Sequence, residues 1–203
     1  MNTTADLKRD VTAVILAGGM ARRMEGVDKG LVEIAGREMV GYVVDTLQQQ
    51  VDHIVINANR NHERYKKYSA NVVADSIEGY QGPLAGIEAG LSVATTPWVF
   101  TCPCDSPMQS VDLLPHMWNA VQSASVDIAV AHDGERTHPV FLLLRRDLLD
   151  SLRSYLGDGQ RKIDRWFRNH QLATVDCNQF AQSFVNINTA DELAIIDGQL
   201  APR

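Results

Sequence analysis

The sequence predicts an α/β fold, a doubly wound and mostly parallel sheet with helices on both faces. Three observations point there. Over the first two-thirds of the chain, short apolar runs alternate with segments of helical period. The runs lack the apolar–polar alternation of half-exposed strands, so they read as strands buried on both faces. Glycines or polar residues then follow the ends of several runs, at Gly18-Gly19, Asn57, Asp75 and Cys104-Asp105. Those are the carboxyl ends, where open α/β sheets bind their ligands.

Taken in order, residues 1–10 are polar, lack the apolar core of a secretory signal and predict a flexible tail. The strand at 11–17 runs into Gly18-Gly19, where the backbone can turn tightly and approach a ligand with no Cβ in the way. After a break at Gly36-Arg37, residues 38–50 carry Met39, Val40, Val43, Val44 and Leu47 at helical spacing. A strand at 53–57, a short charged helix at 61–68 and a strand at 71–74 follow. Pro83 opens a helix over 84–95, as proline's tolerance of a first turn allows. The strand at 97–101 is stopped by Pro103 and Pro107, and a helix at 113–123 leads to a strand at 127–131. Asp133-Gly134 signals a turn before the apolar run 139–144. That connection is too short for a helix, so the two strands are expected to be antiparallel. Helices at 147–155 and 160–169, strands at 172–176 and 184–187, and a helix at 189–197 complete the chain. Thr189 and an acidic first turn start that last helix. With no repeat, low-complexity stretch or linker, 1–203 is expected to form a single domain.

At 203 residues, 45% hydrophobic and 22% charged, the chain has the composition of an ordinary globular domain. A net charge of −6 argues against non-specific nucleic-acid binding, which needs Lys and Arg to neutralise phosphates. No stretch approaches the roughly 20 apolar residues of a membrane span. Three cysteines without a disulfide-like framework fit a reducing compartment, so a cytoplasmic location is expected. Cys102 and Cys104 lack a second Cys or His pair at metal-binding spacing and read as packing residues.

Chemistry concentrates between Gly18 and Lys29. Bare amides at a strand end, with Arg22, Arg23 and Lys29 close behind, supply the donors and positive charge that a phosphate chain needs. Lys29 follows Asp28 and the glycines are adjacent, so neither G-x-x-x-x-G-K-[ST] nor G-x-G-x-x-G is present. This is a phosphate loop of another kind. From the residues alone, Asp105 reads as a turn aspartate, and Asn57 and Asp75 as strand-end caps. Alternation puts Asn186 and Asn188 on one side of the expected strand, either to hold a polar ligand or to cap the following helix.

The segment L-A-G-G-x-A-R-R-M-x-G-x-D-K-G-L, from Leu16 to Leu31, resembles the signature of the molybdenum cofactor guanylyltransferases, the MobA family of Rossmann-like nucleotidyltransferases. Val-Ile-Asn-Ala-Asn-Arg at 55–60, Gly-Pro-Leu-Ala-Gly at 82–86 and Cys-Pro-Cys-Asp-Ser-Pro at 102–107 are similar to the same family. His-Asp-Gly-Glu-Arg-Thr-His-Pro at 132–139 and Phe-Val-Asn-Ile-Asn-Thr at 184–189 extend the likeness over nearly the whole chain, in order. One departure is Glu25, where the family usually has glycine; a carboxylate beside a triphosphate is unfavourable unless it faces solvent or a metal.

The resemblance implies a nucleotidyltransferase fold and a Mg²⁺-dependent transfer of GMP from GTP to molybdenum-loaded molybdopterin, with release of pyrophosphate. It further implies that Leu16, Ala17, Gly18, Gly19, Asn57 and Asp75 contact the nucleotide. Lys29 and Arg23 would offset phosphate charge, and Asp105 would bind the metal. Asn186, Asn188, Arg161 and Lys162, with His132, Arg136 and His138, would face the anionic pterin. A molybdenum-insertion protein upstream and molybdoenzyme chaperones downstream are the implied partners, and a monomer is the default state. Relatives that use CTP typically show L-A-A-G where this chain has Leu16-Ala17-Gly18-Gly19, and a glycine there leaves room for the larger purine. Three alternatives stand beside this reading: a cytidylyltransferase of the same pterin, a sugar-phosphate or isoprenoid-type nucleotidyltransferase, and a catalytically silent nucleotide-binding adaptor.

Overall fold

A strand covered on both faces needs apolar residues at every position, because its side chains alternate between the faces. Val-Thr-Ala-Val-Ile-Leu at 11–16 nearly meets that demand and forms an interior strand of the sheet. The computed structural model describes residues 4–19, 27–77, 82–187, 192–193 and 196–197. In chain order, α1 (Thr4–Asp10) leads into β1 (Val11–Leu16). A small hairpin of β2 (Glu33–Ile34) and β3 (Arg37–Glu38) precedes α2 (Met39–Gln48). Then come β4 (His53–Asn57), α3 (His62–Tyr65), β5 (Asn71–Val73), α4 (Pro83–Val93) and β6 (Trp98–Pro103). The remainder is α5 (Leu113–Ser123), β7 (Ile128–His132), β8 (Thr137–Arg145), α6 (Leu149–Gly157), α7 (Ile163–Phe167) and β9 (Leu172–Asp176).

Seven strands make one sheet in the order β5-β4-β1-β6-β8-β7-β9. β8 runs antiparallel to both neighbours, as its short connection to β7 demands, and every other pairing is parallel. Alternate residues of the strands feed two cores. Ala13, Ile15, Ile56, Phe100 and Leu143 pack with residues of α2 and α5 on one face. Val14, Val55, Val99, Val130 and Leu142 pack with α4, α6 and α7 on the other.

The structure corrects the expected tail at 1–10. Residues 4–10 form α1, and Leu7, only 2% exposed, is buried in the core beside α5. The expected strand at 184–187 is absent. A 3-10 segment, Asn178–Phe184, is followed by irregular chain. Phe184 packs edge-on against Phe141, whereas Ile187 joins a separate cluster with Ile34 and Met39, so no strand edge is offered to the sheet. The helices expected over 61–68 and 160–169 are shorter, four and five residues. The β2–β3 hairpin was not anticipated. Its turn, Ala35-Gly36, has positive φ at both residues, the twist that joins two-residue hairpins. Most of the helix expected at 189–197 lies outside the described residues.

Candidate active site

Register decides where the site forms. Leu16 lies level with Asn57 on one side and Pro103 on the other, and Asn57 lies level with Val73. Four segments therefore leave the sheet together: Ala17-Gly18, Ala58-Asn59, Ala74-Asp75 and Cys104-Asp105. From β1 the chain order runs outward in both directions, the place where such sheets bind ligands. Backbone bonds carry the pairing beyond the strands, from Ala17 N–H to the Asn57 carbonyl (2.8 Å) and from Cys104 N–H to the Leu16 carbonyl (3.2 Å).

Two amides grip the Asp75 carboxylate. Asn57 Nδ2 donates to Oδ1 at 2.9 Å and Asn59 Nδ2 donates to Oδ2 at 2.8 Å. The Asp75 N–H returns a bond to Asn59 Oδ1 at 2.8 Å, and Asn59 Nδ2 also reaches the Gly18 carbonyl at 3.2 Å. A Cβ at Gly18 would stand 2.9 Å from Asn57 Oδ1 and 3.0 Å from Asn59 Nδ2. One at Gly86, in the first turns of α4, would stand 2.3 Å from Asn57 Oδ1. Both glycines are thus demanded by the amides. The space at Gly18 expected to receive a purine is filled by Asn57 and Asn59, whereas Gly19 is exposed and has nothing within 4 Å of its Cβ direction.

On the other side of β1, Lys29 opens a 3-10 turn, Lys29–Leu31, and its Nζ lies 3.0 Å from Asp105 Oδ2. The two side chains are 21% and 11% exposed, sheltered enough to strengthen the attraction yet open to a ligand. The C-terminal chain reaches the same point. Ile187 N–H donates to the Asp105 carbonyl at 3.1 Å, and Ser106 Oγ donates to Asn186 Oδ1 at 2.6 Å. Asn186 therefore arrives beside Asp105 although its segment is not a strand. Arg23 and Asn188 lie outside the described residues, as do Arg22 and Glu25.

Of the expected pterin contacts, Arg161 stands on the α6–α7 connection and turns back on its helix, donating to the Leu156 (2.8 Å) and Gln160 (2.6 Å) carbonyls. Lys162 is exposed, and its carbonyl accepts from Tyr155 Oη at 2.9 Å. His138 lies flat on Phe184, with centroids 4.1 Å apart and planes at 11°, and its Nε2 is 2.7 Å from Asp133 Oδ2. The Arg136 amide, His138 and the Glu135 amide, in that order, hold the Asp133 carboxyl well below the usual range. His132 Nδ1 accepts from Gly134 N–H at 3.0 Å, so both histidines build the β7–β8 turn, and Arg136 is exposed there.

Cys102 and Cys104 are buried in the α2–α5 core, and burial pushes both thiols up, with Asp105 and Asp28 adding to the effect at Cys104. The residues that sequence reasoning left out are Asp28, Asn61, Tyr65 and Ser106, together with the role of Asn59. Asn59 carried a signal, its two-residue spacing from Asn57. Asp28 and Tyr65 carried a weak one, a carboxylate beside Lys29 and an aromatic inside a charged stretch. Ser106 carried none.

The arrangement gathers the exposed Gly19, the Lys29 ammonium and the carboxylates of Asp75 and Asp105 at one end of the sheet. Among the described residues no cluster of three or more His, Cys, Asp or Glu side chains is placed to cage a metal. Mg²⁺ needs no such cage, since it takes one or two carboxylates and completes its shell with phosphate oxygens and water. Asp105 fits that role.

A family model described as a MobA-like NTP transferase domain matches residues 13–175. The molybdenum cofactor guanylyltransferase of Shewanella sediminis is 43% identical over 182 residues, spanning 90% of this chain and 93% of that relative. The enzyme of the same name from Shewanella putrefaciens is 44% identical over 182 residues with the same coverage. Among solved structures, molybdopterin-guanine dinucleotide biosynthesis protein A from Archaeoglobus fulgidus superposes with a TM-score of 0.77 at 23% identity, covering 93% of this chain and 97% of that one. The 4-diphosphocytidyl-2C-methyl-D-erythritolsynthase of Anaerococcus prevotii superposes with a TM-score of 0.71 at 16% identity, over 95% and 99%. At those identities the two structures speak for the fold.

Proposed function

This chain belongs to the MobA-like NTP transferase family, and on that footing we propose that it is a molybdenum cofactor guanylyltransferase. It transfers GMP from GTP to molybdenum-loaded molybdopterin, forming the guanine dinucleotide form of the cofactor and releasing pyrophosphate. A phosphate oxygen of the pterin forms a bond to the α-phosphorus of GTP, and the bond from that phosphorus to the bridging oxygen of pyrophosphate breaks. Both reactants are anions, so positioning and charge neutralisation lower the barrier. No covalent enzyme intermediate is required.

The observation that carries the reading is the pairing of Lys29, on its 3-10 turn, with Asp105 just beyond β6, across β1 from the amide-held Asp75 just beyond β5. We assign Lys29, with Arg23, to the phosphates, and the backbone at Leu16, Ala17, Gly18 and Gly19 to the nucleotide. Asp75 is assigned to the same ligand, and the buried Asn57 to holding its carboxylate in place. Asp105 would hold Mg²⁺, which when bound withdraws charge from the phosphate oxygens. Asn186, next to Asp105, is assigned to the pterin side, and the same role is assigned to Asn188. Arg161 and Lys162 are assigned to the outer rim of that side. Among the described residues no helix is long and apolar enough to cross a membrane, and we place the reaction in the cytoplasm, between a molybdenum-insertion protein and molybdoenzyme chaperones.

The test is pyrophosphate release from GTP and from CTP, with molybdenum-loaded molybdopterin and Mg²⁺, for the wild type and Asp105→Ala. Release with GTP, reduced about 100-fold or more in the variant, is the expected result. A preference for CTP would identify a cytidylyltransferase, and binding of GTP without release would identify an adaptor.

A further inference from the structure

Beside Lys29 lies a cluster built on two buried side chains, Asp28 and Tyr65, that the proposed chemistry does not use directly. Tyr65, at the end of α3, has no exposed surface, and its hydroxyl donates to Asp28 Oδ1. Asn61 Nδ2 donates to Asp28 Oδ2 at 3.0 Å, and Arg60 Nε lies 3.6 Å from the same oxygen. Asn61 holds a left-handed backbone (φ 54°, ψ 31°), which asparagine tolerates better than most residues. Its side chain makes no cap bond to α3 and goes to Asp28 instead.

A carboxylate that is only 9% exposed is costly unless donors meet it, and the segment 60–65 supplies them. Burial, then Cys104 and Asp28, push the Tyr65 phenol far up, so it stays a donor at any working pH. The backbone around Asp28 is equally constrained. Leu31 N–H donates to the Asp28 carbonyl at 3.0 Å and closes the turn. Gly30 is wedged so tightly that a Cβ there would stand 2.7 Å from Tyr65 Oη and 3.1 Å from Cys104 Cβ and Sγ. Lys29 stands between these two fixed points, with its ammonium on Asp105.

We infer that Tyr65 and Asp28 are positioning residues for Lys29: a phenol–carboxylate latch, completed by Asn61 and Arg60, sets the direction of the lysine toward Asp105. A lysine side chain is long and flexible, and anchoring the residues on both sides of it reduces the freedom it must lose when it meets a transferring phosphate. The kinetic part of the test rests on the function proposed above; the labelling part does not.

Tyr65→Phe keeps the ring and removes the bond, and Asp28→Asn keeps the shape and removes the charge. Without substrates, brief labelling with limiting trinitrobenzenesulfonate, read by peptide mass spectrometry, reports how firmly Lys29 is held, with exposed Lys67 as the internal standard. Lys29 is expected to label several-fold faster in both variants at unchanged Lys67 rate; equal Lys29 rates would overturn the inference. In GMP transfer, Tyr65→Phe is expected to lower kcat about tenfold with little change in the KM for GTP, because charge develops in the transition state. In a Lys29→Ala background it should add nothing, since the latch acts through the lysine. A loss that adds to Lys29→Ala, or that accompanies a fall in melting temperature with kcat per folded molecule unchanged, would mark Tyr65 as merely structural and overturn the inference. Should Tyr65→Phe fold poorly, Asp28→Asn is judged by the same labelling and cycle. Wild-type protein that transfers no GMP would sink the function proposed above and leave the labelling result to decide the latch.

Discussion

Asn57 meets Asp75 with its amide nitrogen while its amide oxygen faces the backbone of α4 at Gly86. A methyl at Gly86 has nowhere to go unless the amide tilts away from Asp75. Gly86→Ala is expected to raise the KM for GTP about tenfold, equivalent to ~1.4 kcal/mol, with an unchanged circular dichroism spectrum. An unchanged KM would mean that Asn57 can tilt without loss. Asp133 permits a sign to be worked out. Its folded pKa is depressed by the Arg136 amide, His138 and the Glu135 amide. Its contribution to stability is therefore present above the unfolded value of about 3.9 and is lost as pH falls through the folded value. Asp133→Asn should be less stable than wild type at pH 7, and urea denaturation should show the gap narrowing below about pH 4. A gap independent of pH would place the effect in the shape of the β7–β8 turn and not in the charge.

At the scale of elements, α1 shows how one residue can organise a segment. Leu7 is the single described apolar side chain of α1 in the core, and residues 1–10 are otherwise too polar to reveal a helical period. Leu7→Ala is expected to cost about 2–5 kcal/mol, the range for truncating a buried leucine, measurable by urea unfolding. A loss near zero would mean that α1 contributes nothing to the fold. The mistaken strand at 184–187 has the opposite cause. Phe184, Val185 and Ile187 are apolar enough for a strand, but Phe184 is taken by His138 and Phe141 while Ile187 is taken by the cluster beside the hairpin. Apolar content alone does not say which core will claim a residue. The antiparallel sense of β8 was legible because a short turn allows no other. Its place between β6 and β7 was not, since strand order depends on pairings that the local sequence does not encode.

For the whole molecule, a ligand that binds only the folded chain stabilises it by mass action. With Mg²⁺ present and GTP at about a hundred times its Kd, the gain is about 2.7 kcal/mol. For a chain of 203 residues, at about 2–4 °C per kcal/mol, the melting temperature should rise by roughly 5–11 °C. Differential scanning calorimetry would show it, with smaller rises for Asp105→Ala and Lys29→Ala. An equal rise with CTP would count against guanine selection.

The sequence by itself determined the alternation of strands and helices, the glycine turn after β1 and the set of segments that resemble one family. These are local properties, written in periodicity, in turn residues and in short motifs. It also put Gly18, Asn57, Asp75 and Asp105 at strand ends, so their convergence needed only a parallel sheet. Tertiary structure decided what they do to one another. Lys29 and Asp105 are 76 residues apart, and Ser106 and Asn186 are 80 apart. The amide grip on Asp75 and the latch on Asp28 likewise join separate elements. Such contacts arise from the register of β1 with β4 and β6 and from the close seating of α4. Register and seating are set by how whole elements bury their apolar faces together, which no single stretch of the chain specifies.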